Sequence, residues 1–432
     1  MRRVSTDMSN NDMQYYLRRQ EESLNNLQSQ IGSQKRIREL RDDPMGASHA
    51  VRYESYLARL ARYESNSLEA EERLNFADGY LRNASDILRR IRELAVEGAN
   101  GIYTKEDTAN MAVEVNELLG ELIDIANATG PDGKRLFAGD KAFTEPFRVV
   151  QGMVEGGEGA EMAVRVEYRG AGASRTMQIA EQSYMEVDIG GGEVFWAERM
   201  QVFPDVNTSD IDGNGTPYSV PRDTSIFIDG IEIALAQGDS AAAIAAKIND
   251  SAAAVKASID PMTRGLNLEG TDAHMLRLED AFHNEDGRRV QDSSVLQDLG
   301  LIKPNAAEGA PNWADGARVQ GGSMFDMVIR LRDALYRGDN DYTGRQGLGG
   351  IDLAIDNLTT RLATIGSRAE RANQVWQRTN QEIPNVTAML ARETGLNLAT
   401  AAVELGEMDL AHKATLQTTA RIAPQTLLDY LR

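Results

Sequence analysis

Apolar residues recur at both ends of the chain in the three- and four-residue steps of an amphipathic helix, and in the middle at every second residue. From Leu17 a seam runs through Gln20, Leu24, Leu27, Ile31 and Gln34. It is expected to stop at "RDDP", where Pro44 disfavours helix at Asp43. A second seam then repeats every seven residues through Leu60, Ser67, Leu74, Leu81, Leu88 and Ala95. Its partner row is Tyr63, Ala70, Ala77, Ala84 and Ile91, with small residues that permit close helix approach. The spacing predicts a helix over about 47–98, about 80 Å long at ~1.5 Å per residue. Gly98 and Asn100-Gly101 end it, and Val115, Leu118, Leu122 and Ile125 mark a shorter helix beyond.

The C-terminal third has the same habit. Leu362, Ala369, Trp376, Ile383 and Leu390 recur every seven residues, with Ile365, Ala372, Thr379 and Val386 between them. Pro384 stands inside this seam and is expected to kink or break it, as Asp43-Pro44 does near the other end, so the three residues mark candidate hinges. The interior changes period. Gly156-Gly157, Gly190-Gly191-Gly192 and Gly213 separate short alternating runs such as "MAVRVEYR" and "YMEVDI", the pattern of antiparallel strands. "TSIFIDGIEIAL" predicts a hairpin turning at Asp229-Gly230. A short helix from Ser240 and the strands "VKASID" and "GLNLEG" complete a β-β-α-β-β unit.

The simplest fold that buries both sets of seams is α+β. A long antiparallel α-helical coiled coil or bundle is built from the two chain ends, with a β-rich domain inserted between them. Residues 1–41 and 388–432 then form a terminal helical domain, 42–140 and 318–387 a long-helix rod, and 141–317 the inserted outer domain.

Charge sharpens this division. The chain carries 46 lysines and arginines against 66 acidic residues, a net −20, which argues against nucleic acid as a main partner. Residues 1–41 hold 8 basic and 5 acidic side chains, and residues 388–432 hold 4 and 5. The acid therefore belongs to a solvated middle, and the balanced ends suit packing against something else. No cysteine occurs, which removes disulfides and thiolate chemistry. No apolar run approaches a membrane span, and the start lacks the apolar segment of a cleaved secretory signal.

Candidate chemistry is sparse. His49, His274, His283 and His412 are scattered at no ligand spacing and are expected on the surface. "GPDGKR" at 130–135 lacks the glycine spacing and the hydroxyl of a phosphate loop. "DIDGNG", Asp210 to Gly215, places oxygens as a calcium loop does, but Pro221 occupies the position of the closing glutamate. A turn is expected there, so no metal or cofactor is assigned and an enzyme is not expected. What stands out is the C-terminus. Leu416 and Ile422 lead into Leu427, Leu428 and Leu431, more apolar surface than a helical hairpin of the two ends can cover. With Leu17, Leu24, Leu27, Ile31 and Leu405 these are the candidate subunit-packing residues.

Several stretches resemble the flagellin superfamily in order and position: "RRVSTDM" at the start, "SQKRI" with "DDP" at 42–44, and "IRELAVEGANG" at 91–101. "GKRLFAG" at 133–139, "MVIRLRDALYRGD" at 327–339 and the terminal "LQTTARIAPQTLLDYL" continue the series. "IDGIEIAL" is similar to the Ile-Asn-Gly module of that superfamily, with Asp229 in place of asparagine. Val4-Ser5-Thr6 and the "LLDYL" ending resemble the hook-associated branch more than filament flagellins. Gln34 departs from the family by standing where glycine is common.

The resemblance implies an adaptor at the hook–filament junction, with the first hook-associated protein on one side and flagellin on the other. It implies copies of the chain in a ring, an export chaperone on the C-terminal helix, and secretion through the flagellar export apparatus, with neither nucleic acid nor membrane as partner. A filament-forming flagellin is the near alternative, and a calcium-binding or adhesive surface protein the distant one.

Overall fold

The computed structural model describes residues 6–154, 161–171, 174–211, 213, 215–283, 289–291, 293–303 and 312–422. Its main helices are α1 (Thr6–Ser33), α2 (Pro44–Gly98), α3 (Lys105–Ala126), α4 (Ala241–Asp250), α5 (Met324–Arg337), α6 (Leu348–Thr394) and α7 (Leu398–Ile422). The chain divides into two compact units, Met1–Ser65 with Val375–Arg432, and Asn66–Gln374.

In the second unit both heptad rows of α2 are buried. Leu74, Leu81, Leu88, Ala70, Ala84, Ile91 and Ala95 are wholly enclosed, and Ala77 nearly so. From α6, Ile365 and Ala372 are buried in the same way. Asn373 donates to Glu71 (2.8 Å) and Arg92 to Asp352 (2.6 Å), so the partners count upward on one helix and downward on the other. The pairing is antiparallel, as the seams predict. Helices α3 and α5 pack beside each other. Each starts with a capping box, Thr104 with Asp107 and Ser323 with Asp326, which satisfies amides the first turn leaves unpaired. At the end of α5, Gly338 takes the left-handed conformation (φ 71°) that a side chain would resist.

The inserted region is a set of small antiparallel sheets. Hairpins β1 (Phe147–Met153) with β2 (Glu161–Tyr168) and β3 (Thr176–Ala180) with β4 (Ser183–Glu186) come first. After them come β5 (Gln201–Phe203), β6 (Thr224–Ile228), β7 (Ile231–Leu235), β8 (Val255–Ile259), β9 (Leu266–Gly270) and β10 (Leu278–Glu279). The series closes with β11 (Ala281–His283), β12 (Arg289–Gln291) and β13 (Arg318–Gln320).

The expected β-β-α-β-β unit is present. Its turn residues Asp229 (φ 51°) and Gly230 (φ 81°) are both left-handed, as a two-residue hairpin turn requires. Its two hairpins, however, join different sheets: β10-β6-β7 and β13-β5-β9-β8. Helix α4, capped by Ser240, follows β7 and packs on β7 and β8, burying Ile244 and Ile248.

Two devices fasten the insert to the helices of this unit. The first is aromatic. Phe147 lies 5.0 Å from Tyr168, 5.2 Å from Phe195 and 5.1 Å from Phe325 of α5, and Phe137 lies 5.1 Å from Phe195. The second is ionic. Arg73 of α2 donates through Nε to Asp188, through Nη1 to Asp132 (3.2 Å) and through Nη2 to the Arg135 carbonyl (3.1 Å). Burial pushes the Asp188 carboxyl up despite the opposing pull of Arg73 and Arg175.

Three expectations are corrected. Helix α1 stops at Ser33, eleven residues before Pro44, because Gln34 turns left-handed (φ 58°). Helix α6 runs unbroken through Pro384, which is exposed, so the carbonyl that loses its partner can face water. His274, expected on the surface, is buried beside Asp229 (3.1 Å).

Candidate assembly surface

The first unit contains no strand pairing beyond one isolated bridge among its described residues, and its geometry is that of helices in antiparallel pairs. Tyr56 donates to Glu382 (2.5 Å), and His49 faces Glu393 (3.4 Å). Next to the Tyr56 contact, Leu60, Tyr63 and Val386 form a small core, flanked by Tyr53, Leu57 and Ile383. Asp43 accepts the Gly46 amide at the start of α2 (3.0 Å), and Pro44 takes the first helical position, where its missing N–H costs nothing. That amide, followed by Arg36 (3.2 Å), holds the Asp43 carboxyl below its ordinary range.

Beyond this core, α1 and α7 lie side by side. Leu27 of α1 and Ala401 of α7 are buried. Leu17, Leu24 and Ile31 on α1 and Leu405 on α7 are half-buried, while Leu416 is exposed. Ile422 closes α7. Its side chain, and all of Leu427, Leu428 and Leu431, lie outside the described residues. Two buried polar atoms, Gln20 Oε1 and His412 Nδ1, have no hydrogen-bond partner among the described residues. An open cavity of about 290 Å³ lies between the helices, lined by Tyr16, Arg19, Gln20, Ser23, Met408 and Ala411.

The heptad reading of the sequence missed a second apolar row on α7. Val403 and Leu410 are 62% and 74% exposed. They stand seven residues apart and so project from one side of the helix, opposite the buried Ala401. Ala399, Gly406 and Ala414, all exposed, fall on the same side. On α1, Tyr15 and Tyr16 are 62% and 60% exposed and meet edge to face at 5.8 Å. The signal was present in "LATAAVELGEMDLAHKATL", which is apolar on more than one face, but a single-seam template does not register it. At the other candidate site, "DIDGNG", the Asp210 carboxylate accepts the Gly215 amide (2.7 Å), as a turn does; Asp212 and Asn214 lie outside the described residues.

Residues 4–142 match the bacterial flagellin N-terminal helical region, and residues 209–272 match the flagellin hook IN motif. Both models describe segments of flagellin-family proteins. The superfamily resemblance carried by the motifs is thereby borne out, and the IN match covers the hairpin, α4, β8 and β9.

Among curated relatives, the chain is 32% identical to flagellin FlaB1 of Treponema pallidum over 136 residues, 32% of this chain and 48% of that one. It is 25% identical to flagellar hook-associated protein 3 of Salmonella typhimurium over 188 residues, 44% of this chain and 55% of that one. The chain thus spans about half the length of the curated relatives it matches. A crystal structure of flagellar hook-associated protein 3 from Legionella pneumophila aligns with a TM-score of 0.43 at 18% identity, covering 79% of this chain and 97% of that one.

Proposed function

We propose that the chain is a structural subunit of the bacterial hook–filament junction, an adaptor joining the first hook-associated protein to the flagellin filament. The observation that carries this is the exposed apolar row of α7, which a soluble helix would not display for its own stability. In this reading, copies of the chain form a ring through the terminal helices. Leu416, Ile422, Leu427, Leu428 and Leu431 meet neighbours together with Val403 and Leu410, while Leu17, Leu24, Leu27, Ile31 and Leu405 hold α1 to α7. The three-part division at 41/388 and 140/318 then separates assembly, rod and outer domains, with Asp43, Pro44 and Pro384 near the inner boundary. Export runs through the flagellar apparatus with a chaperone on the C-terminal helix. The match to hook-associated protein 3, longer than that to the flagellin, supports the junction.

The test is complementation of a strain lacking this chain by Val403→Asp with Leu410→Asp. Each charge, if desolvated without a partner, costs several kcal/mol in the assembly. The expected outcome is normal secretion of the variant, hooks present, filaments absent and flagellin lost to the medium. Full motility would overturn the assignment of this face. A filament-forming flagellin is the second reading, favoured by the higher identity to FlaB1. Purified chain polymerising alone into long filaments would establish it.

A further inference from the structure

We infer that the two connections leading to the terminal helices, residues 34–43 and 395–397, are one cooperative clasp and not two independent joints. They lie far apart in sequence but are hydrogen-bonded to each other. Lys35 and Gly395 form an antiparallel bridge. The Arg36 amide donates to the Thr394 carbonyl (2.7 Å), and the Leu396 amide donates to the Gln34 carbonyl (3.1 Å).

Side chains reinforce the bridge from the N-terminal side. The Arg36 guanidinium donates both to the Glu393 carbonyl (2.9 Å) and to Asp43 (3.2 Å), so one group binds the end of α6 to the start of α2. Gln30 of α1 donates to the Arg36 carbonyl (3.0 Å). Asp42 accepts the amides of Arg38 and Glu39 (3.1 Å each), which fixes the rest of the connection. On the C-terminal side, Asn397 accepts the amides of Ala399 and Thr400 (3.1 and 3.3 Å) and starts α7.

Two residues have special backbone geometry at this pairing. Gln34 holds a left-handed backbone that costs a glutamine free energy, and in that conformation its carbonyl receives Leu396. At Gly395 the amide closes the last turn of α6 on the Ala391 carbonyl (2.8 Å), and a Cβ would stand 2.3 Å from that oxygen, so a side chain there would displace the end of α6 that carries the bridge. Strain on one strand and a steric requirement on the other meet at one contact. Opening either connection removes the partners of both, and α1 and α7 then gain or lose their anchorage together.

Hydrogen exchange on the full chain tests this. The amides of Arg36, Arg38 and Leu396 should share one opening constant. Gly395→Ala, through the clash it introduces, and Arg36→Ala, through loss of two charge-assisted bonds, should each accelerate all three by the same factor, about tenfold or more. Arg38 is the decisive probe, because its amide touches nothing across the bridge. Lys35→Ala, which removes an exposed side chain, should change none of them. Unchanged exchange at Leu60 and Val386, in the core of the same unit, would confirm that the variants remain folded. Acceleration confined to the mutated connection, or equal acceleration by Lys35→Ala, would overturn the clasp. The test is independent of the junction reading, since it needs no assembly.

Discussion

Helices α2 and α7 carry similar apolar contents and opposite fates. In the second unit the rows of α2 are closed off from water by α6 and its neighbours, and the apolar side chains left exposed, Leu68, Phe76 and Val96, stand outside those rows. On α7 one row meets α1, and another, with Val403 and Leu410, faces solvent. Helical periodicity therefore reports that a face is apolar and leaves open whether the same chain covers it. Coverage is the functional information, and it separates a helix that supports the fold from one that offers a surface.

The contrast can be broken most severely at its buried end. Arg73→Met leaves Asp188 enclosed without its main counter-charge and should cost the second unit about 3–5 kcal/mol, read by denaturant unfolding. Matched leucines come next. Leu88→Ala should cost about 2–5 kcal/mol, as in a close-packed core. Leu410→Ala should stay within about 0.5 kcal/mol while weakening assembly. Equal losses at the two leucines would dissolve the comparison.

A smaller, opposite effect is expected at Gln34→Gly. Relief of about 1–2 kcal/mol of left-handed strain exceeds the ~0.5–1 kcal/mol glycine entropy penalty, so the first unit should gain up to about 1 kcal/mol.

The mildest prediction concerns pH. Burial alone would lower the His274 imidazole, but the hydrogen bond and charge of Asp229, with help from Asp272, raise it above its ordinary value. Glu193 and Arg277 line the same small cavity. A histidine raised in the folded state adds stability below its unfolded pKa and loses it as pH rises through the folded one. The melting temperature of the second unit should therefore fall as pH rises above the unfolded imidazole value of ~6.5, and Asp229→Asn should flatten that slope.

Much of this was readable in advance where the cause is local. The α2 rows, the Asp229-Gly230 turn, the Ser240 cap and the antiparallel pairing all follow from spacing or from a turn's backbone demand. What escaped depends on residues distant in sequence. Arg73 and Asp188 are 115 positions apart, and neither signals the other. The division of one β-β-α-β-β unit between two sheets is decided by β5, β10 and β13, strands too short to show a period. Pro384 does not break α6 because a proline on a solvated face is tolerated, whereas the pairing of Lys35 with Gly395 is a contact that only the folded chain reveals.

The alanines of α2 have one more consequence. Ala70, Ala77 and Ala84 are buried at one-heptad intervals, and an alanine has no rotamer through which to yield. At these positions little side-chain compliance separates α2 from what packs on it. That gives the second unit torsional stiffness at this line of contact. Replacing the alanines by longer, bendable side chains would make it behave as a damper even if its melting temperature were unchanged.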